Sequence, residues 1–446
     1  MQKNTFQNIQ CTLLTIVIML SWLTACGSDG SSSASFSLAP SINNVAGAIT
    51  PGSTVTITGT RFSSKENAAP LFWWKADLGK APSSLGRLTS WNAAPSFNGE
   101  ASSAIVAPGS SQTFRWDHGA STGAALGKVE FGSETTRLYL HRKLYEDFDV
   151  TKAFAIRTRV DGITCPDRGV FGSISPGDVV TGTTSGATGV VAEFYNEEGR
   201  CAIFYSKVGG TINDKPPLDF NFGEQMTTPA VAAPMTNSEG SSSFPTGTFR
   251  TFNYKTIRFW NIGQQNNIYP VAQGAQSSKY QINRERTDAT LFNKNFDNPL
   301  SQQPFEWLTE EVIYQTSSGV DVADALWLYF RDGVLTSDEP FISRTAARPN
   351  SYSSVFQSQV SNGAQMGSFV YYDSLYIDDS WHRVIICSSA TAGLCTDREI
   401  QIPTTWSDTR ITIELNLGGL DPSKPLFLYV LDKNSVPNST GMQITP

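Results

Sequence analysis

The feature that most constrains this chain is a series of ten short strand signals, running from about Gln112 to the end, in several of which apolar and polar residues alternate: TFRWDH, TRLYLHRKLY, KTIRFWN, EWLTEEVIYQ, ALWLYFRDG, SFVYYDSLYID, HRVIIC, REIQI, TRITIELNLG and LFLYVLD. A period of two is the repeat of a β-strand, whose successive side chains point to opposite faces. No long helical repeat interrupts the series, and that many strands need two stacked sheets or a barrel to bury one face each. Glycine at 36, proline at 23 and 11% aromatic residues beside only 16% charged ones fit short strands joined by turns. The expectation is an all-β protein.

The N-terminus fixes a compartment. One cation, Lys3, precedes an apolar run from Thr12 to Leu23 and then the small residues Thr24 and Ala25 before Cys26. This is the layout of a secretory leader. Twelve helical residues rise about 18 Å, short of the roughly 30 Å hydrocarbon core, so the run does not span comfortably. Leu23-Thr24-Ala25-Cys26 resembles the lipobox of bacterial lipoproteins, which implies cleavage before Cys26 and lipid on its thiol and amine. Two or three acyl chains anchor where one does not. Residues 1–25 then form the signal peptide and residues 26–38, rich in Gly and Ser, a flexible tether. In lipoproteins of this resemblance a residue such as Gly27 in place of aspartate implies the outer membrane rather than retention at the inner one, with its periplasmic and exterior faces both open.

A net charge of -7 without any basic cluster argues against nucleic acid as partner. Of six cysteines, Cys11 leaves with the leader and Cys26 carries lipid. Cys387 and Cys395, on either side of a small-residue loop, suit a local disulfide, which leaves Cys165 to pair with Cys201. Without a close CxxC pair, and with only three histidines (His118, His141, His382), the sequence gives no metal site. Asp373, Asp378, Asp379, Asp432 and Asn434 supply oxygens of the kind calcium prefers, so a structural calcium is the one cofactor considered.

Val55 and Ile57 alternate with Thr54, Thr56 and Thr58 ahead of Gly59, a half-buried strand. With the preceding proline, isoleucine and Pro51-Gly52 turn, residues 40–62 resemble the opening of TIG/IPT immunoglobulin-like domains, which implies an Ig-type region over 39–110, truncated or fused to the next domain. The order of an RFW strand, a WLTEE strand, a WLYFRDG strand and YYDSLYIDD resembles concanavalin A-like jelly rolls, the LamG-like and polysaccharide lyase-like sandwiches, and implies such a sandwich over 111–168 and 227–446. Residues 169–226 look foreign to it. Their SGATG turn and later FNFGE resemble small β modules of phage tail and surface proteins, and the residues support a compact β insertion or a long decorated loop. Residues 229–244 (PAVAAPMTNSEGSSSF) read as a flexible loop.

A jelly roll can present one sheet face as a concave, wet binding surface, so each strand should divide by parity. Taking Ile257 and Phe259, then Leu308, Val312 and Tyr314, then Leu326, Leu328 and Phe330, then Leu138, Leu140 and Leu144 as core leaves an opposite set. That set holds Arg258 and Trp260; Trp307, Thr309 and Glu311; Trp327, Tyr329 and Arg331; and Tyr139, His141, Lys143 and Tyr145. Aromatic faces stack on sugar C–H groups while Arg and Glu hydrogen-bond hydroxyls, so the predicted ligand-binding residues are Arg258, Trp260, Trp307, Glu311, Trp327, Tyr329 and Arg331, with polysaccharide as partner. No E-x-E pair marks a glycosidase, and no G-x-S-x-G, H-E-x-x-H or P-loop motif is present. The leading expectation is a non-catalytic, lipid-anchored polysaccharide-binding protein. One alternative is a lyase of uronate glycans, with His141 or Tyr145 as base and Arg258 or Arg331 as carboxylate clamp. The other is a structural or adhesive surface protein.

Overall fold

The computed structural model describes residues 39–78, 86–88, 99–117, 125–147, 155–161, 174–175, 177–197, 200–207, 221, 223–237, 253–261, 263, 266–273, 280–285, 294–295, 305–337, 340–361 and 369–445. The expected all-β fold is present: every strand pairing among these residues is antiparallel, and the only helical pieces are 3-10 turns at Ala76–Leu78 and Ala392–Leu394. No helix among them is long and apolar enough to cross a membrane.

Two stacked sheets build the sandwich. Among the described residues, the first runs in the order Val334–Ser337, Leu326–Arg331, Trp307–Gln315, Arg137–Asp147, Phe369–Asp378, Thr113–Asp117 and Gly99–Ser102, with Phe72–Lys75 paired to the far half of Phe369–Asp378. The second contains Asn253–Lys255, Ser354–Ser361, Arg258–Asn261, Asn266–Gln273, Tyr280–Glu285 and Lys294–Asn295, with Ala125–Glu130 against Ser354–Ser361. Between them Leu138, Leu140, Leu144, Val312, Tyr314 and Ile377 of the first sheet meet Ile257, Phe259, Ile268 and Val355 of the second. Phe259 sits edge-on to Trp327 at 4.9 Å and to Tyr314 at 5.7 Å, the T-shaped geometry aromatic quadrupoles favour.

One strand faces the other way from its sequence reading. Trp327, Tyr329 and Arg331 are 1%, 0% and 2% exposed and point between the two sheets, while Leu326, Leu328 and Phe330 are the half-buried side. Register requires this, because Trp327 lies opposite Tyr314 and Tyr329 opposite Val312, and opposed residues of an antiparallel pair share a face. Both sides of Leu326–Arg331 are covered, so aliphatic content could not say which side is the core.

The N-terminal strand pair is completed from the other end of the chain. Thr54–Thr60 pairs on one side with Ser41–Ala46 and on the other with Arg410–Glu414, which continues to Ile402–Trp406. Glu399–Ile400, Arg383–Cys387, Phe427–Leu431 and Met442–Gln443 form the facing sheet. Val55, Ile57 and Phe62 close one core with Val384, Ile386, Ile411, Ile413, Leu428 and Val430. The expected boundary at residue 110 therefore does not coincide with the sheets: residues 41–60 belong with 383–443, and Phe72–Lys75 and Gly99–Ser102 already belong to the large sandwich. A twenty-residue β piece cannot bury its own apolar face, and the C-terminal strands supply the missing half.

This terminal sandwich also covers part of the first sheet. Ile385, Cys387, Ile400, Tyr429 and Leu431 pack with Trp73, Tyr139, Ile313, Tyr376 and Trp381. Cys387 and Cys395 form the expected disulfide, with Cα atoms 5.7 Å apart. Cys165, Cys26 and the leader lie outside the described residues, and Cys201 is placed only as backbone in Arg200–Lys207.

Within the region expected to hold a β insertion, six strands close into a barrel in the order Thr188–Glu197, Arg200–Lys207, Ala155–Asp161, Val231–Asn237, Gln225–Thr228 and Val179–Gly182. It reaches beyond residues 169–226 at both ends, and Val231–Asn237 is a strand where a flexible loop was expected. Closure is the reason, since that strand joins Gln225–Thr228 to Ala155–Asp161 and leaves no edge. Glu224 fastens the turn beside it, accepting hydrogen bonds from the backbone N–H groups of Thr184 and Ser185 and from both hydroxyls.

Candidate functional site

The residues singled out by parity come to rest in three separate places. Arg258 and Trp260 lie on the outer face of the second sheet, away from the core residues Ile257 and Phe259. The Arg258 guanidinium stacks 4.3 Å from the Trp260 ring and 5.6 Å from Tyr269, and its Nε donates to Asn267 Oδ1 at 3.1 Å.

Trp327, Tyr329 and Arg331 occupy the second place, between the sheets. Arg331 pairs there with Glu310 at 3.2 Å and Glu146 at 3.3 Å, and Arg142 and the Tyr329 hydroxyl also bond Glu310. Burial pushes the Glu310 carboxyl up, but Arg142 and Arg331 outweigh it and hold the group below its usual range. Two arginines and two glutamates thus neutralise one another inside the sandwich. Polymer cannot reach Arg331 to be clamped by it.

His141 and Glu311 share a face with Trp307 and Tyr145 but lie under the terminal sandwich, 1% and 2% exposed. Glu311 accepts from Arg398 at 2.9 Å and from the Tyr139 hydroxyl at 2.8 Å. Burial raises its carboxyl, yet Arg398, His141, Arg383 and Tyr139 together carry it down to about 2. Burial lowers His141 to about 4 despite the pull of Glu311, so the ring is neutral and sealed. Such a histidine has no route to a substrate proton.

Three of the calcium candidates have protein partners of their own. Asp378 pairs with Lys65 and Asp379 with Arg87, each at 2.5 Å, and Asp432 Oδ1 accepts from the backbone N–H groups of Asn434 and Val436. Among the described residues no group of three or more His, Cys, Asp or Glu side chains could hold a metal ion.

What remains is the end of the first sheet away from the terminal sandwich. Register sets Glu100 opposite Arg115, Arg115 opposite Tyr371, Tyr371 opposite Tyr145, and Tyr145 opposite Trp307. All five therefore stand on one face in a single row across five strands, which at ordinary strand spacing is ~19 Å long. Trp307 and Tyr145 are 5.7 Å apart between ring centres, Tyr145 and Tyr371 6.0 Å, and Phe369 adds a ring 6.5 Å from Tyr371. Arg115 spans the end of the row, ion-paired to Glu100 and stacked 4.6 Å over Phe369.

Trp307, Tyr145, Phe369 and Arg115 are half-buried and belong to neither packed core, while Tyr371 is wedged beneath its neighbours. Phe305, just before Trp307, is 53% exposed with φ of +66°, and its N–H donates to the Glu146 carbonyl at 2.9 Å. A bulky side chain held out in the left-handed region is rare, and such strain concentrates at ligand-handling sites. Burial and the nearby Asp147 raise both the Tyr145 and Tyr371 phenols, so each keeps its proton at neutral pH.

Of the predicted set, the row contains Trp307 and Tyr145. Sequence reasoning missed Arg115, Tyr371, Phe369 and Glu100. Arg115 could have been found, since it alternates with Phe114 and Trp116 in the core. Tyr371 could not, because a bulge at Asp373 shifts the parity of Phe369–Asp378, so that Tyr371 and Tyr376 share a face although five positions apart.

No protein-family model matches the chain, and no curated protein is similar to it in sequence. Among solved structures it is similar to an endo-β-1,4-glucuronan lyase from the fungus Trichoderma reesei, at 8% identity over 69% of this chain and 95% of that one, with a TM-score of 0.33. It is also similar to an alginate lyase from Aplysia kurodai (9% identity, 70% and 99% covered, TM-score 0.28). A carbohydrate esterase of the Shiga toxin-encoding bacteriophage phi24B gives 9% identity, 69% and 97% covered and a TM-score of 0.30. A likeness of this size carries no argument about the chemistry of this chain.

Proposed function

We propose that this protein binds polysaccharide on the aromatic row Trp307, Tyr145, Tyr371 and Arg115, without cleaving it, and that lipid on Cys26 holds it at the outer membrane. The observation that carries the reading is the row itself: three rings and a guanidinium aligned across neighbouring strands, with Phe369 and Phe305 at its border. The half-buried rings of Trp307 and Tyr145, held in line by Tyr371 beneath them, offer apolar faces to the C–H sides of consecutive sugars, and the protonated Tyr145 phenol offers a donor to a hydroxyl.

A lyase reading finds less support in the same geometry. Its base would have to be His141, which is sealed, or Tyr145, whose phenol is held in the protonated state. Its clamps, Arg258 and Arg331, lie on another sheet and inside the sandwich.

Affinity electrophoresis of the chain in gels cast with different polysaccharides tests the binding. Retardation by at least one polymer that is reduced tenfold or more in Trp307→Ala is the expected result, and a panel that retards neither protein sinks the proposal. For the anchor, Cys26→Ser is expected to abolish labelling by a palmitate analogue in cells, and a mutant still labelled would refute it.

A further inference from the structure

The charges that border the aromatic row narrow the class of polymer it can hold. Asp147 stands two residues from Tyr145 on the same face, opposite Phe369, close enough that its charge raises both the Tyr145 and the Tyr371 phenol. At the far end Glu100 is exposed. Arg115, in the row, is matched by Glu100, and Lys143, two residues before Tyr145, by Glu399. Among the described residues no cation pairs with Asp147. A uronate polymer brings a carboxylate on every uronic ring and would set it against Asp147, and like charges brought together at a binding face cost affinity strongly. A neutral polymer brings hydroxyls, which donate well to an ionised carboxylate.

We propose, on the reading that this row holds a polysaccharide, that its ligand is an uncharged polymer and that Asp147 accepts hydrogen bonds from sugar hydroxyls while turning uronates away. The selectivity resides in one side chain at the edge of the rings. Rings alone would stack on either kind of sugar.

The test runs the full chain in affinity gels containing neutral β-glucan, glucomannan or galactomannan, and in parallel gels containing alginate or polygalacturonate, at low and high salt. At least one neutral polymer is expected to retard the wild type equally at both salt concentrations, and neither uronate polymer is expected to retard it. Asp147→Asn should gain retardation by a uronate polymer at low salt, an increase of about tenfold in affinity, which is the size of one modest electrostatic contact. Trp307→Leu, with its fold checked by circular dichroism, should lose the neutral polymer. Uronate binding by the wild type that vanishes in Trp307→Leu would overturn the charge inference and leave the row standing as the site. Uronate rejection unchanged in Asp147→Asn would remove Asp147 from the role. If no polymer retards the wild type, or Trp307→Leu changes nothing, the row is not the site and the inference falls with it.

Discussion

The same strands carry the same kinds of residue along one face of the first sheet, yet its two ends have opposite fates. At one end Tyr139, His141, Glu311 and Tyr376 are sealed by the terminal sandwich, with Arg398 answering Glu311. At the other Tyr145, Trp307 and Phe369 remain half-buried and outside both cores. Two residues along one strand separate His141 from Lys143 and two more reach Tyr145, without any change in parity or composition to announce the change in environment. Whether part of a strand is covered or left open is therefore decided by what lies above it. Here that is decided by residues at the two ends of the sequence, which close a second sandwich over half of the sheet.

The sharpest way to break this comparison is to strike the interior, which the sequence assigned to the binding face. Trp327→Ala should cost about 3 to 5 kcal/mol of stability, because it opens a cavity against Phe259. Glu310→Ala should cost a similar amount, roughly 3 to 5 kcal/mol, by leaving Arg142 and Arg331 buried without their shared carboxylate. Chemical denaturation with midpoints and slopes measured together decides this. A Trp327→Ala protein as stable as wild type would mean that the ring faces solvent, and the first sheet would have to be turned over.

The covered end should betray itself through acid. The folded His141 titrates near 4 against 6.5 when unfolded, so the unfolded chain binds the extra proton first as pH falls. Stability from this group is whole above about pH 6.5, declines below it, and is fully lost below about 4, for a total on the order of 3 kcal/mol. His141→Asn should flatten the measured stability between those limits. Unchanged steepness would show that His141 is hydrated, and that the terminal sandwich does not seal this end.

How much of this was legible in the sequence depends on what strand periodicity can and cannot carry. Val55 and Ile57 alternating with threonines gave the correct inward side, since the threonine side of that strand is only half-buried. Leu326–Arg331 did not, because a strand covered on both sides is free to hold leucines on one and Trp, Tyr and Arg on the other. Cys387 and Cys395 paired as their local spacing suggested. The pairing of Thr54 with Glu414 had no local signal at all, being written only in the need of two separate β pieces to bury each other. Trp307 and Tyr145 were found as individual residues, but their alignment with Tyr371 and Arg115 is a property of register and of the bulge at Asp373, which periodicity does not encode.

The smallest effect on stability is expected at the open end, and it discriminates most finely. Trp307 meets the Tyr145 ring at a tilted angle and lies outside both cores, so Trp307→Ala removes one ring contact and some half-exposed area, a cost of about 1 kcal/mol. Tyr371 lies in the same row but is 3% exposed beneath Tyr145, Phe369 and Arg115, so Tyr371→Ala should cost more, about 2 to 3 kcal/mol, by undermining the rings around it. Both variants should lose polysaccharide, but for different reasons. Trp307→Ala would remove a surface proposed to meet the sugar, whereas Tyr371→Ala would remove the support that holds Tyr145 and Phe369 in line. Tyr371→Phe separates the two, since it keeps the ring in place and removes only the hydroxyl; it should restore both stability and binding to within about twofold. If Tyr371→Phe binds as poorly as Tyr371→Ala, the phenol itself meets the ligand, and the row must open further in solution than its packing suggests.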